Sequence, residues 1–312
     1  MERSLVALTA LALLAATSCA EGVGDSSSGE PEIIAAFYPL EFVALEIAGE
    51  SARVTNLSPP GVEPHDLELA PGQVRSLAQA DLVLYLGQGF QPAVEDVVGE
   101  LSGTAVIDGL ETQDGLNPGE DVLEDEEEHQ VDGDEAGHEA DGSDPHFWLD
   151  PTRLASLGRS VATELGRIDP DNADRYEDNA AILEDSLDKL DDEFTTGLED
   201  CERNELVVSH EAFGYLTDRY GLGQVGVSGI DPESEPSPGR VAEVAEFARE
   251  HGVTTIFFEE QVAPGIAQVI ADEVGAEVEV LDPLEFPPDG DADYFDVMRT
   301  NLDSITAALG CE

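Results

Sequence analysis

Short apolar runs rich in β-branched residues punctuate the chain at residues 33–37, 54–57, 82–86 and 104–107, and again at 206–209, 224–227, 255–258 and 277–281. Runs of this length predict strands buried on both faces. Between them lie helical patterns, among them 71–80, 241–250 and 265–274. Each half therefore alternates strand and helix, which predicts a mainly parallel four-stranded sheet covered on both sides. A different signal separates the halves. From residue 173 to 198 the apolar positions Tyr176, Ala180, Leu183, Leu187, Leu190, Phe194 and Leu198 step by three or four, one continuous stripe on a helix. At 1.5 Å per residue that helix spans about 40 Å, enough to lie along both halves and join them stiffly. A peripheral helix of one half is the alternative reading. The expected fold class is α/β with two lobes: an N-terminal lobe over 31–168, a linking helix over 169–200 and a C-terminal lobe over 201–312.

The N-terminus sets the compartment. Arg3 precedes an apolar run over residues 5–16, followed by Thr17, Ser18 and Cys19. Such a run is a secretory signal too short to span a bilayer. A cysteine directly after two small residues resembles a lipoprotein signal over 1–19, with Cys19 acylated; an ordinary signal-peptidase site is the alternative. Residues 20–30, rich in glycine and serine, read as a flexible tether. Cys201 and Cys311 then remain, an even pair in an oxidising compartment. One disulfide between them is expected, with two free buried thiols as the alternative.

Seventy acidic residues against 13 basic ones give a formal charge of −57. Nucleic acid and anionic lipid surfaces are thereby excluded as partners. Such a chain repels itself at low salt, whereas at about 1 M salt the Debye length falls to roughly 3 Å, so a saline habitat is the simplest explanation. The segment 119–145 concentrates this charge. It has no Lys or Arg, holds His129 and His138, and lacks apolar periodicity, which predicts a disordered insertion. A solvated acidic loop is the favoured reading, and an auxiliary metal-scavenging loop through His129 and His138 is the alternative.

Three of the six histidines sit in short signatures: Gly-Val-Glu-Pro-His65-Asp, Asp-Pro-His146-Phe-Trp-Leu-Asp-Pro and Val-Val-Ser-His210-Glu-Ala-Phe-Gly-Tyr. His65 and His210 follow predicted strands, at the carboxyl edge where open α/β sheets bind ligands. His146 precedes a helix opening near Asp150. Three imidazoles with a carboxylate or a water make a tetrahedral zinc shell, here placed in the cleft between the lobes. Asp282-Pro-Leu-Glu285 follows the last predicted strand and is the expected source of the carboxylate. Glu285 is the first choice, Asp282 the second and solvent the third. A secreted metallohydrolase with an open three-histidine site is a competing class, with Glu211 or Glu63 as general base and Glu259 and Glu260 as a carboxylate pair. Against it, the chain has no HExxH helix, no nucleophile elbow and no phosphate-cradling glycine loop. An adhesion lipoprotein containing structural zinc is a third class.

The ordered set GVEPHDLEL, DPHFWLDP, VVSHEAFGYL, EPSP, IFFEEQ and VLDPLE resembles the zinc-binding solute receptors of ABC importers, the ZnuA type, over essentially the whole mature chain. The resemblance implies two α/β lobes joined by a rigid helix, ligands at His65, His146 and His210, and Zn2+ as the carried ion. It also implies a non-enzymatic, monomeric lipoprotein outside the cytoplasm, delivering metal to an ABC permease and its ATPase. Related manganese receptors carry glutamate where this chain has His210, which favours the softer metal. Members of the group often have a long histidine-rich loop; here it is acidic and histidine-poor. Release would follow if docking drew His65 and His146 away from His210 and Glu285.

Overall fold

A computed structural model describes residues 29–59, 61–113, 121–123, 144–259 and 265–312. The signal segment with Cys19, nearly all of the tether, and the part of the acidic segment holding His129 and His138 lie outside the described residues. Two four-stranded, wholly parallel sheets organise the rest. β1 (Glu32–Ala35), β2 (Arg53–Asn56), β3 (Leu82–Tyr85) and β4 (Ala105–Asp108) lie in the order β2-β1-β3-β4. β5 (Glu205–Val208), β6 (Gly223–Gly226), β7 (Thr255–Phe258) and β8 (Glu277–Val280) repeat that arrangement as β6-β5-β7-β8. In both, the order reverses between the first and third strands of the lobe, the crevice where parallel sheets bind ligands.

Successive side chains of a strand point to opposite faces, and here both faces are buried. Ile33, Ala35, Leu82, Leu84, Leu206, Val208 and Phe257 enter one core that runs unbroken from the first lobe into the second. Ile34 and Val83 face an outer cluster of the first lobe, and Val207 and Ile256 one of the second. The central core carries Phe37 and Trp148 as well as Tyr215 and Tyr294. An apolar junction of this kind resists independent motion of the lobes.

The helices are α1 (Tyr38–Ala48), α2 (Pro71–Leu77), α3 (Pro92–Val98), α4 (Pro151–Ile168), α5 (Ala173–Gly197), α6 (Gly214–Tyr220), α7 (Pro238–Glu250), α8 (Gly265–Val274) and α9 (Tyr294–Leu309). α1 escapes a periodicity search because eight of its 11 residues are buried, and a helix apolar nearly all round has no amphipathic stripe. α7 begins earlier than its apolar pattern, since Pro238 fits the first helical position and Ser237 Oγ accepts the Arg240 N–H.

α5 is the linking helix, and its whole apolar stripe is buried. Its first half binds the first lobe, through Asn179 Nδ2 to the Ile47 carbonyl (2.9 Å) and Glu184 to Arg159 (2.7 Å). Its second half binds the second lobe, through Asp191 to Arg219 (2.6 Å), Glu193 to Arg299 (2.7 Å) and Phe194 stacked on Tyr220. Past its end, a disulfide joins Cys201 to Cys311.

The acidic segment is not unstructured at its two ends. Asp121 forms a parallel bridge with Gln224 of β6 and accepts the Gly226 N–H (2.7 Å) and the Arg240 guanidinium (2.6 Å), while Val122 and Leu123 pack on the outer core of the second lobe. Asp144 and Pro145 are buried. These residues correct the expectation of disorder from 119 to 145, because burying a carboxylate requires partners that a composition argument does not see. Among the described residues no helix is long and apolar enough to cross a membrane.

Candidate metal centre

Each signature histidine is placed by its own piece of local structure. His210 stands two residues past β5, and Glu259 immediately follows β7. These are the adjacent strands at which the second sheet reverses order. Glu259 Oε1 accepts the His210 Nδ1–H at 2.6 Å and the Ser209 hydroxyl at 2.5 Å. His146 precedes a short 3-10 turn, Phe147–Leu149. Asp144 Oδ1 accepts both its backbone N–H (2.8 Å) and its Nδ1–H (2.7 Å). A carboxylate behind the ring fixes the tautomer and turns Nε2 outward as a donor atom for a metal. His65 comes from the loop after β2, with its ring edge-on to Phe90 at 4.4 Å between centroids.

Glu285 is carried by a pinned turn after β8. Asp282 Oδ1 accepts the Leu284 N–H (2.7 Å), and Asn301 bonds both the N–H and the carbonyl of Asp282. Leu284 sits at φ +60°, a left-handed conformation costly for a bulky side chain, held where the surroundings over-determine it. Three bonds between the lobes brace the site. Trp148 Nε1 donates to the Pro283 carbonyl (2.7 Å), Tyr294 OH to the Trp148 carbonyl (2.7 Å), and Tyr215 OH to the Asp144 carbonyl (3.1 Å).

The four side chains converge. Glu285 Oε1 lies 3.0 Å from His146 Nε2, 3.4 Å from His65 Nε2 and 3.6 Å from His210 Nε2, and the His146 and His210 Nε2 atoms are 3.4 Å apart. One ligand atom from each residue falls within 4.8 Å of all the others. Zinc–ligand bonds of about 2.0–2.1 Å in a tetrahedron put neighbouring donors roughly 3.3 Å apart, so the spacing matches a four-coordinate shell.

Electrostatics reflect the same convergence. Burial opposes charge on His146 and His210, but Asp144 and Glu285 around the first, and Glu259 and Glu285 around the second, outweigh it and raise both pKa values, that of His210 well above the ordinary. Burial likewise opposes charge on Glu285, and hydrogen bonds from the three imidazoles overcome it, holding the carboxyl well below the usual range. Partial burial and the neighbouring Glu285 carboxylate push Glu63 up to about 9. A cation would replace protons that these groups otherwise share.

Asp282, the alternative fourth ligand, spends its carboxylate on the Leu284 N–H; Glu285 holds the place in the cluster. The residues put forward for a hydrolytic site are otherwise engaged: Glu211 pairs with Arg240 (3.7 Å), Glu259 backs His210, and Glu63 stands beside Glu285 and bonds the His65 N–H. Glu260 lies outside the described residues. Sequence reasoning missed the orienting roles of Asp144 and Glu259. Asp144 was open to detection two residues before His146; Glu259 was weighed only as half of a catalytic pair.

Comparison with known proteins follows the same line. The family model described as zinc-uptake complex component A, periplasmic (ZnuA) matches residues 33–308. The high-affinity zinc uptake system protein ZnuA of Bacillus subtilis is 33% identical over 300 residues, covering 94% of this chain and 92% of that protein. The zinc-binding lipoprotein AdcA of Streptococcus pneumoniae is 32% identical over 310 residues, covering 98% of this chain and 60% of the longer relative. Among solved structures, the laminin-binding protein Lmb of Streptococcus agalactiae, described as bifunctional with adhesin and metal-transporting activity, superposes with a TM-score of 0.77 at 30% identity, covering 90% of this chain and 100% of that one. The Zn(II)-bound ZnuA-like domain of Streptococcus pneumoniae AdcA does so with a TM-score of 0.73 at 28% identity, covering 90% and 99%.

Proposed function

The chain belongs to the ZnuA family of zinc-uptake components, and from that premise we propose how this member binds and yields its cargo. It is an extracytoplasmic zinc receptor that holds Zn2+ between its lobes for an ABC permease. The ion is held by His65, His146, His210 and Glu285. One observation carries this assignment: three Nε2 atoms and one carboxylate oxygen, drawn from four separate loops of two lobes, lie within 4.8 Å of one another. Four protein ligands fill a tetrahedral shell and leave no position for an activated water, which suits capture and delivery and not hydrolysis. The protein is accordingly a receptor without catalytic activity.

Cys19 is its acylated N-terminus, a reading supported by the Thr-Ser-Cys signal and by the lipoprotein description of pneumococcal AdcA. It works as an anchored monomer with a permease and its ATPase as partners. Elemental analysis of protein purified without added metal, followed by zinc titration of a chain lacking residues 124–143, tests the site. One tight equivalent in both is the expected outcome. Loss of tight binding in the shortened chain would move the ligands into the acidic segment and overturn the assignment.

A further inference from the structure

The three histidines of the centre are supported unequally. His146 and His210 each turn Nδ1 onto a buried carboxylate, whereas the only hydrogen-bond partner of the His65 ring among the described residues is Glu285, at Nε2. A metal on Nε2 leaves the proton on Nδ1, and that proton calls for an acceptor just as it does in the other two. Gln91, the residue that precedes α3, reaches the backbone next to His65. It is 1% exposed. Its Nε2 donates to the Pro64 carbonyl at 3.4 Å, the far limit of a hydrogen bond, and its Oε1 is buried with no partner. Its neighbour Phe90 forms the apolar wall of the same imidazole. A buried amide oxygen without a partner is costly, and such an atom in a folded protein asks for a reason.

We propose that Gln91 is the positioning residue for His65: it holds the Pro64–His65 peptide through its amide nitrogen, and its free oxygen accepts the Nδ1–H of His65 when zinc occupies Nε2. The inference rests on the reading of His65 as a ligand. Gln91 touches no metal in this scheme and acts only through the imidazole. A neutral amide is a weaker acceptor than the carboxylates behind His146 and His210, so His65 is the least firmly oriented of the three.

The test uses the full mature chain with Gln91→Leu, Gln91→Glu, His65→Ala and the double variant His65→Ala with Gln91→Leu. Zinc affinity is measured by chelator competition, and melting is measured without metal. Gln91→Leu should lower zinc affinity by roughly 10–100-fold, the range for loss of an outer-shell partner. Its metal-free melting temperature should stay level or rise, because an unpaired buried oxygen has been removed. In the His65→Ala background the same substitution should change affinity less than about twofold. Gln91→Glu, which keeps an acceptor, should bind zinc more tightly than Gln91→Leu.

A loss of affinity that persists in the His65→Ala background, or one that tracks a fall in metal-free melting temperature, would show a merely structural residue and overturn the proposal. So would an unchanged affinity in Gln91→Leu while His65→Ala is impaired, which leaves the four-residue site standing. If His65→Ala itself binds zinc as well as the parent, the ligand assignment falls and this inference with it.

Discussion

The two lobes share a strand order yet deliver their halves of the centre differently. In the second lobe His210 is two residues past β5 and Glu285 five residues past β8, and each is fixed by its own lobe, His210 by Glu259 and the Glu285 turn by Asp282 and Asn301. In the first lobe His65 and His146 ride on longer excursions from β2 and β4. His146 belongs to the first lobe by chain order, but Trp148, Asp144 and their partners Pro283, Tyr294 and Tyr215 bond its segment to the second. The second lobe therefore fixes its half of the centre from within, whereas the half that the first lobe supplies is held largely by bonds across the junction. Pulling the lobes apart would load the 144–148 segment through these bonds and leave His65 as the one member of the cluster that moves with the first sheet alone.

Removing ligands should break this contrast most strongly. His210→Ala and Glu285→Ala should each weaken zinc by more than about 100-fold, beyond the range of outer-shell changes. His65→Ala should weaken it less, because a loosely oriented ring contributes less than a preorganised one. Asp282→Ala, which only frees the Leu284 N–H, should weaken it less than Glu285→Ala. Chelator competition ranks the four; equal losses at His65 and His210 would erase the asymmetry between lobes.

Next in size is the staple of the second lobe. Replacing Cys201 and Cys311 by alanine opens a loop with a sequence separation of 110, and loss of a native disulfide of this kind costs about 2–5 kcal/mol. Denaturant unfolding of the metal-free protein measures the cost. Zinc stoichiometry should remain at one, since the bridge lies away from the ligands; a lost site would tie metal binding to the staple.

Trp148→Phe sharpens the contrast from the other side. It leaves the buried Pro283 carbonyl without its 2.7 Å donor, a loss of about 1–3 kcal/mol. Both stability and zinc affinity should fall, because that bond joins the His146 segment to the Glu285 turn. A fall in stability alone would mean that the two halves are not coupled through it.

The pH response is the mildest probe. The raised pKa values of His146 and His210 stabilise the metal-free fold fully below the unfolded imidazole value of about 6.5, and this contribution is lost as pH rises through the raised values. The lowered pKa of Glu285 contributes above the unfolded value of about 4.3 and is lost as pH falls through its folded value. Zinc needs the imidazoles neutral, so its apparent affinity should climb with pH through and above 6.5, by up to about tenfold per unit for each proton displaced. Competition titrations at pH 6, 7 and 8 measure the slope, and a flat profile would mean that the imidazoles are already neutral.

By itself the sequence determined the class of fold, the eight strands, the long stripe of α5 and three ligand candidates. Each of these is a local pattern: a short β-branched run, a period of three to four, a histidine in a proline- or serine-flanked turn. Position past the strand end also separates Glu285, which stands in the cluster, from Asp282, which bonds the turn that carries it. Tertiary structure alone decided the rest. It paired Glu259 with His210 across two strands, set Trp148 on the Pro283 carbonyl, brought the Gln91 amide to the Pro64 carbonyl, and held Asp121 on the far lobe through Arg240. α1 was hidden for the same reason. Burial on all sides removes the periodicity that marks a helix, and a hydrogen bond between residues a hundred positions apart leaves no trace in either neighbourhood until the chain has folded.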